Sequence, residues 1–192
     1  MPNQPNNEAV RNHSTLIAGS DGTNGVPLKV DANGSLTSGY GSSVTVTRAA
    51  NQTPYTANDT VGGAIAFGTV GPSAGRVLIQ SIILRPRITA VPSGMGNFRL
   101  ALYNVTPPSA LADNAAWTIP SGDQASLLCV LDLGTPALPA ASSVDLYIAR
   151  YNIGLEVLLA GTALWGYLIT DAAFTPAANS EVYAVDLKTI AV

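Results

Sequence analysis

From residue 44 onward the chain alternates apolar and polar positions in short runs. Phe98, Leu100 and Leu102 fall on one side of an extended segment, with Arg99, Ala101 and Tyr103 on the other. A period of two predicts a strand over 98–103 with one buried face. Pro107-Pro108 ends that ladder, because proline has no N–H to donate and fixes its φ. A polar loop then runs on to Trp117. The same spacing predicts strands over 44–47, 64–67, 77–84, 127–133, 144–149, 155–159, 164–169 and 182–187. The run 77–84 is apolar except for Gln80 and Ser81. No amphipathic helix of three turns is evident. Single helical turns are predicted at 114–117 or 123–127, capped by Asp113 and Ser121.

Eight or nine short strands separated by Gly, Pro, Asn and Ser predict a β-sandwich or barrel. Long loops at 51–63 and 106–124 favour a jelly roll over a meander. No internal repeat supports a propeller or β-helix. The expected fold class is all-β, a jelly-roll-like β-sandwich over 43–192 with an extended N-terminal arm. Residues 1–14 are rich in Asn and Pro and have almost nothing to bury. Residues 16–36 form short extended pieces punctuated by Asp21-Gly22, Asn24-Gly25 and Asn33-Gly34, dipeptides suited to tight turns. Gly39-Tyr40-Gly41-Ser42-Ser43 reads as a linker, which makes 1–42 an arm plus linker. Residues 1–11 contain no apolar core of a secretory signal. The run 157–170 is too short to span a bilayer and is broken by Gly161, Thr162 and Gly166. It reads as two strands joined by a Gly-Thr turn, and no membrane partner is expected.

Charge changes the picture. Only 11% of the 192 residues are charged and 47% are hydrophobic, against roughly 25% charged in an ordinary domain. So bland a chain has either a surface of Ser, Thr, Asn and Ala or one hidden in a permanent assembly of copies, and the second reading is preferred. The net charge is −3 with no cluster of Lys or Arg, so the electrostatic footprint of nucleic-acid binding is missing. Cys129 is the only cysteine, which excludes an intrachain disulfide and a multi-cysteine metal site. Among Leu127, Leu128, Val130 and Leu131 it reads as a small buried apolar residue and not a reactive thiol.

Catalytic chemistry is thinly represented. His13, the only histidine, sits in the polar tail, so a nucleophile–histidine arrangement lacks a base. Asp21, Thr23, Asn24, Asp31 and Asn33 lack the closing bidentate carboxylate of a calcium loop and read as turn formers. Asp113 and Asp123 share one loop and are the remaining pair for glycoside hydrolysis, although a capping role explains Asp113 more simply. Trp117, Trp165, Tyr103 and Tyr151 are either core and interface anchors or a sugar-stacking platform, and the first reading is preferred. No enzyme, cofactor or metal is expected.

Several motifs occur in a telling order. Thr53-Pro54-Tyr55-Thr56-Ala57-Asn58-Asp59-Thr60-Val61-Gly62-Gly63 comes first, then 76–84, 98–104 with Pro107-Pro108, and Asp113-Asn114-Ala115-Ala116-Trp117. Tyr151-Asn152-Ile153-Gly154-Leu155, the run 162–169 and Phe174-Thr175-Pro176 follow. This order resembles a group of virion structural proteins of tailed bacteriophages. The stretch 18–36 is similar to the Asp-Gly-Thr…Pro-Leu…Val-Asp…Gly-Ser-Leu arms that precede many phage head and tail proteins. The resemblance implies a capsid decoration or cement protein, a homotrimer bound to the major capsid protein on the virion surface and made in the host cytoplasm. An arm burying Leu16, Ile17, Val26 and Leu28 against the shell would gain about 1.5–3 kcal/mol per side chain, less the cost of ordering it. The alternative is a tail, neck or fibre-associated virion protein with a host-carbohydrate-binding role.

Overall fold

The computed structural model describes residues 18–20, 25–27, 39–107, 109–140 and 145–192. The chain divides into two compact units, Met1–Ser38 and Gly39–Val192. In the first, β1 (Ala18–Ser20) pairs antiparallel with β2 (Gly25–Pro27), and Gly19 lies opposite Val26. Leu16, Ile17, Leu28, His13 and the turn residues Asp21, Thr23, Asn24, Asp31 and Asn33 lie outside the described residues.

Among its described residues, the second unit holds eight strands in two antiparallel sheets. β3 (Gly39–Thr47), β10 (Val182–Ala191), β5 (Arg76–Pro86) and β8 (Ile148–Leu158) form one sheet in that spatial order. β4 (Ile65–Phe67), β9 (Leu164–Thr170), β6 (Phe98–Tyr103) and β7 (Leu127–Gly134) form the other. Every connection crosses between sheets except the one joining β6 to β7, and β10 returns to lie between β3 and β5. Two interlocked four-stranded keys of this kind define the jelly roll.

The sandwich closes because the inward positions are apolar on both sheets. Val77, Ile79, Ile82 and Leu84 of β5 and Tyr183, Val185 and Leu187 of β10 face Phe98, Leu100, Leu102, Leu164 and Leu168, all buried in one cluster. Tyr55 and Phe98 both stack against Phe174, with ring centroids 4.9 and 6.2 Å apart.

Four expectations are corrected. The sandwich begins at Gly39 and not at 43. The supposed linker is the first half of β3, with Gly39 opposite Ile190 and Ser42 opposite Leu187; backbone pairing to a central strand outweighs the low strand propensity of glycine. The strands read over 144–149 and 155–159 overlap one strand, β8, which runs unbroken from Ile148 to Leu158. Asn152 (φ 55°) and Gly154 (φ 68°) carry a bulge there, opposite the skipped Gln80 of β5, so a turn-like sequence bends the ladder without ending it.

The region 114–117 is no helix: Asn114 takes φ 63° and the Trp117 N–H donates to the Asn58 carbonyl at 2.7 Å. The one helical turn among the described residues, α1 (Ser121–Gln124), follows Pro120 without a side-chain cap. Neither Asp113 nor Ser121 caps a helix. Lastly, β6 is buried on both faces: Ala101 and Tyr103 on its outer side are as enclosed as Phe98 and Leu100 on its inner side. The loop that follows β6 covers them.

Candidate functional site

That covering loop is held at two points. At the first, Asp113 accepts hydrogen bonds at Oδ1 from the Tyr55 hydroxyl (2.6 Å) and the Gly62 N–H (2.8 Å). Its Oδ2 accepts from the Ala49 N–H (3.1 Å) and stands 3.7 Å from Arg48 Nη2. Arg48, its side chain fully buried, donates through Nε to the Tyr55 hydroxyl. Burial raises the pKa of that hydroxyl, and its hydrogen bond to Asp113 raises it further; it stays protonated and donates to the carboxylate. Gly62 sits at φ +74°, and a Cβ there would fall 1.9 Å from Val46 Cγ1, so only glycine lets this amide reach Asp113. The group ties the end of β3 to the two long loops.

At the second point the loop lies over the outer face of β6 and β9. Ala101, Tyr103, Tyr167 and Ile169 are buried together, with Leu111, Trp117, Leu127 and Trp165 packed against them. Trp117 Nε1 donates to the Tyr103 hydroxyl at 3.2 Å. The Tyr167 hydroxyl accepts from the Leu111 N–H at 3.2 Å and donates to the Ser109 carbonyl at 2.9 Å. Arg99 lies 5.8 Å from the Trp117 ring centre and pairs with Asp171.

The structure thus brings three of the four singled-out aromatics, Tyr103, Trp117 and Trp165, into one small second core. Tyr151 is apart from them, 61% exposed on β8 in the opposite sheet. The two loop carboxylates are both occupied in holding backbone. Asp113 is described above, and Asp123 is buried and accepts from the Ser109 N–H at 3.3 Å. Sequence reading missed Arg48 and Tyr55, the buried partners of Asp113. A lone Arg at the end of a strand carries no local signal of burial.

The chain matches no family model and no curated relative.

Among the described residues, no group of three or more His, Cys, Asp or Glu side chains is placed to hold a metal ion. No described helix is long and apolar enough to cross a membrane. A groove of about 420 Å³ opens between residues 87–89 and 177–182. The Glu181 carboxylate at its wall is already engaged: it accepts from the Ala177 and Ala178 N–H groups (2.6 and 3.0 Å) and from the Tyr183 hydroxyl (3.0 Å).

Among the described residues, no strand pairs with the outer edge of β7. β7 ends its sheet, and its run Leu127-Leu128-Cys129-Val130-Leu131 is half-buried, with Val130 exposed. No lysine, proline or inward charge interrupts the run, although natural edge strands ordinarily carry one. β8 ends the other sheet, and Tyr151 and Leu158 stand exposed on it.

Proposed function

We propose that the chain is a structural protein of a tailed-bacteriophage virion, one that decorates the capsid and cements neighbouring subunits of the major capsid protein. Its working form is a homotrimer on the shell surface. The observation that carries the proposal is the charge-poor jelly roll with the unprotected apolar edge at β7. A strand of this kind, left open, recruits other chains, and covering it with a neighbouring copy removes both the open ladder and the exposed apolar area. A surface so short of charge suits permanent contacts. The separate unit before Gly39 supplies a second attachment, in which Val26 of β2 and the flanking Leu16, Ile17 and Leu28 are the anchors. Three such attachments on one trimer bind with avidity that a single arm lacks.

The test is a capsid-binding assay with the whole chain and with a truncation lacking Met1–Ser38. The whole chain should sediment as a trimer and co-sediment with shells. The truncation should remain a folded trimer and lose the shells. Full decoration of shells by the truncation removes the arm from the proposal, and a monomeric whole chain without shell affinity removes the proposal itself.

A further inference from the structure

At one end of the β3-β10-β5-β8 sheet, four outward side chains form a square. Val77 and Ile79 of β5 and Val157 of β8 are buried in the core. Arg76, Leu78, Glu156 and Leu158, which alternate with them, therefore point to the outer face. Arg76 lies opposite Leu158, and Leu78 lies opposite Glu156. The corners stand about 5 Å apart across the strands and about 7 Å apart along them. The two charges occupy one diagonal of the square and the two leucines the other. Arg76 Nη1 donates to Glu156 Oε1 at 2.6 Å, with the side chains 61% and 49% exposed. Leu158 is 51% exposed and Leu78 is half-buried. Val192, also exposed, extends the apolar area on the far side of Arg76, where its N–H donates to the Arg76 carbonyl at 3.1 Å. Of the other charges on this sheet face, Arg85 pairs with Asp186, and the exposed Lys188 lies over Gly41 on the β3 side. The square itself carries no net charge.

We propose that this square is a two-fold contact with a second copy of the chain, the one through which a trimer touches its neighbour on the shell. A square with charges on one diagonal and leucines on the other is complementary to itself. A half-turn about an axis along the leucine diagonal exchanges the two charged corners and leaves the two leucine corners in place. Arg76 then faces the partner's Glu156, and Glu156 faces the partner's Arg76. Leu78 and Leu158 each meet the same side chain of the other copy. Such isologous matching is what a two-fold contact requires. Each ion gains a second counter-ion, and the leucines shield the pairs from water, as in the core of an interface. A foreign partner would have to reproduce both diagonals at the same spacing. Left alone, an exposed ion pair contributes almost nothing to stability, and the exposed leucine beside it has no use. The role between trimers rests on the function proposed above. The pairing itself uses neither β7 nor the segment before Gly39.

Sedimentation velocity on the full chain, from low to high micromolar concentration, tests it. The weight-average mass should rise with concentration as units pair. A rise that starts from trimers supports the contact and the trimer together. A rise that starts from monomers supports the contact and removes the trimer. Arg76→Glu and Glu156→Arg each place like charges on one diagonal, and each should abolish the rise. An equimolar mixture of the two variants should restore it, because the acids of one copy meet the bases of the other. Leu158→Ser should weaken pairing by about tenfold, the scale of two leucines returned to water. All three positions are exposed, and unchanged thermal melts confirm that the variants fold. A mass that stays level in the parent overturns the proposal, as do single charge variants that associate like the parent or a mixture that stays apart.

Discussion

The Tyr55 hydroxyl donates to Asp113 Oδ1 across 2.6 Å while accepting from the buried Arg48 guanidinium. One proton thereby couples the loop before β4 to the loop after β6. Asp113→Ala strands the Arg48 charge without its carboxylate and frees three donors at once. The expected loss is about 3–5 kcal/mol, the range for breaking a buried pair. Tyr55→Phe keeps the ring against Phe174 and deletes only the relay, at about 1–3 kcal/mol. Urea denaturation of both variants checks the order, and equal losses would show that the hydroxyl carries the whole coupling.

Alkaline pH should destabilise the fold. Burial raises the pKa values of the Tyr55, Tyr103 and Tyr183 hydroxyls above the ordinary 10.0. For Tyr183 the nearby Glu181 carboxylate adds to this. The folded protein keeps these protons after an unfolded chain has released them. Their contribution is therefore whole below about pH 10 and declines as pH rises through it. The urea midpoint should fall between about pH 9 and 11, and phenolate absorbance from these rings should appear only as the protein unfolds. A midpoint that stays level across that range contradicts the assignment.

Cys129 gives a kinetic readout. Burial pushes its thiol from 9.0 up to about 11, so almost no thiolate is present at pH 8. Ellman's reagent should react slowly with the native protein and rapidly in urea. Fast native reaction would show that β7 opens.

Tyr167→Phe removes the two hydrogen bonds that tie the covering loop to β9 at Ser109 and Leu111 and leaves the ring packing in place. Amide exchange at Leu111 should accelerate by about five- to tenfold, the equivalent of about 1 kcal/mol of local opening, while exchange in β10 stays unchanged.

Gly166→Ala should be more damaging than its size suggests. A Cβ at this position would sit 2.7 Å from the Ala101 carbonyl on the paired strand β6, where backbone cannot yield. A loss of about 1–3 kcal/mol, the cost of overpacking, is expected from thermal melts. A variant as stable as the parent would show that β6 and β9 separate more easily than their register implies.

Much of the architecture could be read from residue order, and its gaps have physical causes. The strand 98–103 has the bounds that alternation predicts, and the long loops did mark a jelly roll. Where backbone pairing overrides composition, reading failed: Gly39 and Gly41 look like a linker until Ile190 and Lys188 pair opposite them. Asn152 and Gly154 look like a stop because a bulge uses the same left-handed residues as a turn. The Asp113 cluster could not be read at all, since Arg48, Tyr55 and Gly62 reach it from separate segments. Tyr147, Ala149 and Tyr151 do alternate onto one side, but only strand pairing shows that Ala149 lies opposite Ile83 and Ile83 opposite Asp186.

The position of β10 has a consequence for biosynthesis. β3 bonds to nothing in its sheet except β10, which leaves the ribosome long after it. A nascent chain that has already made β3 through β9 still presents β3 and β5 with open ladders, awaiting the strand that goes between them. The sheet of β3, β10, β5 and β8 must therefore remain incomplete until translation has passed residue 191.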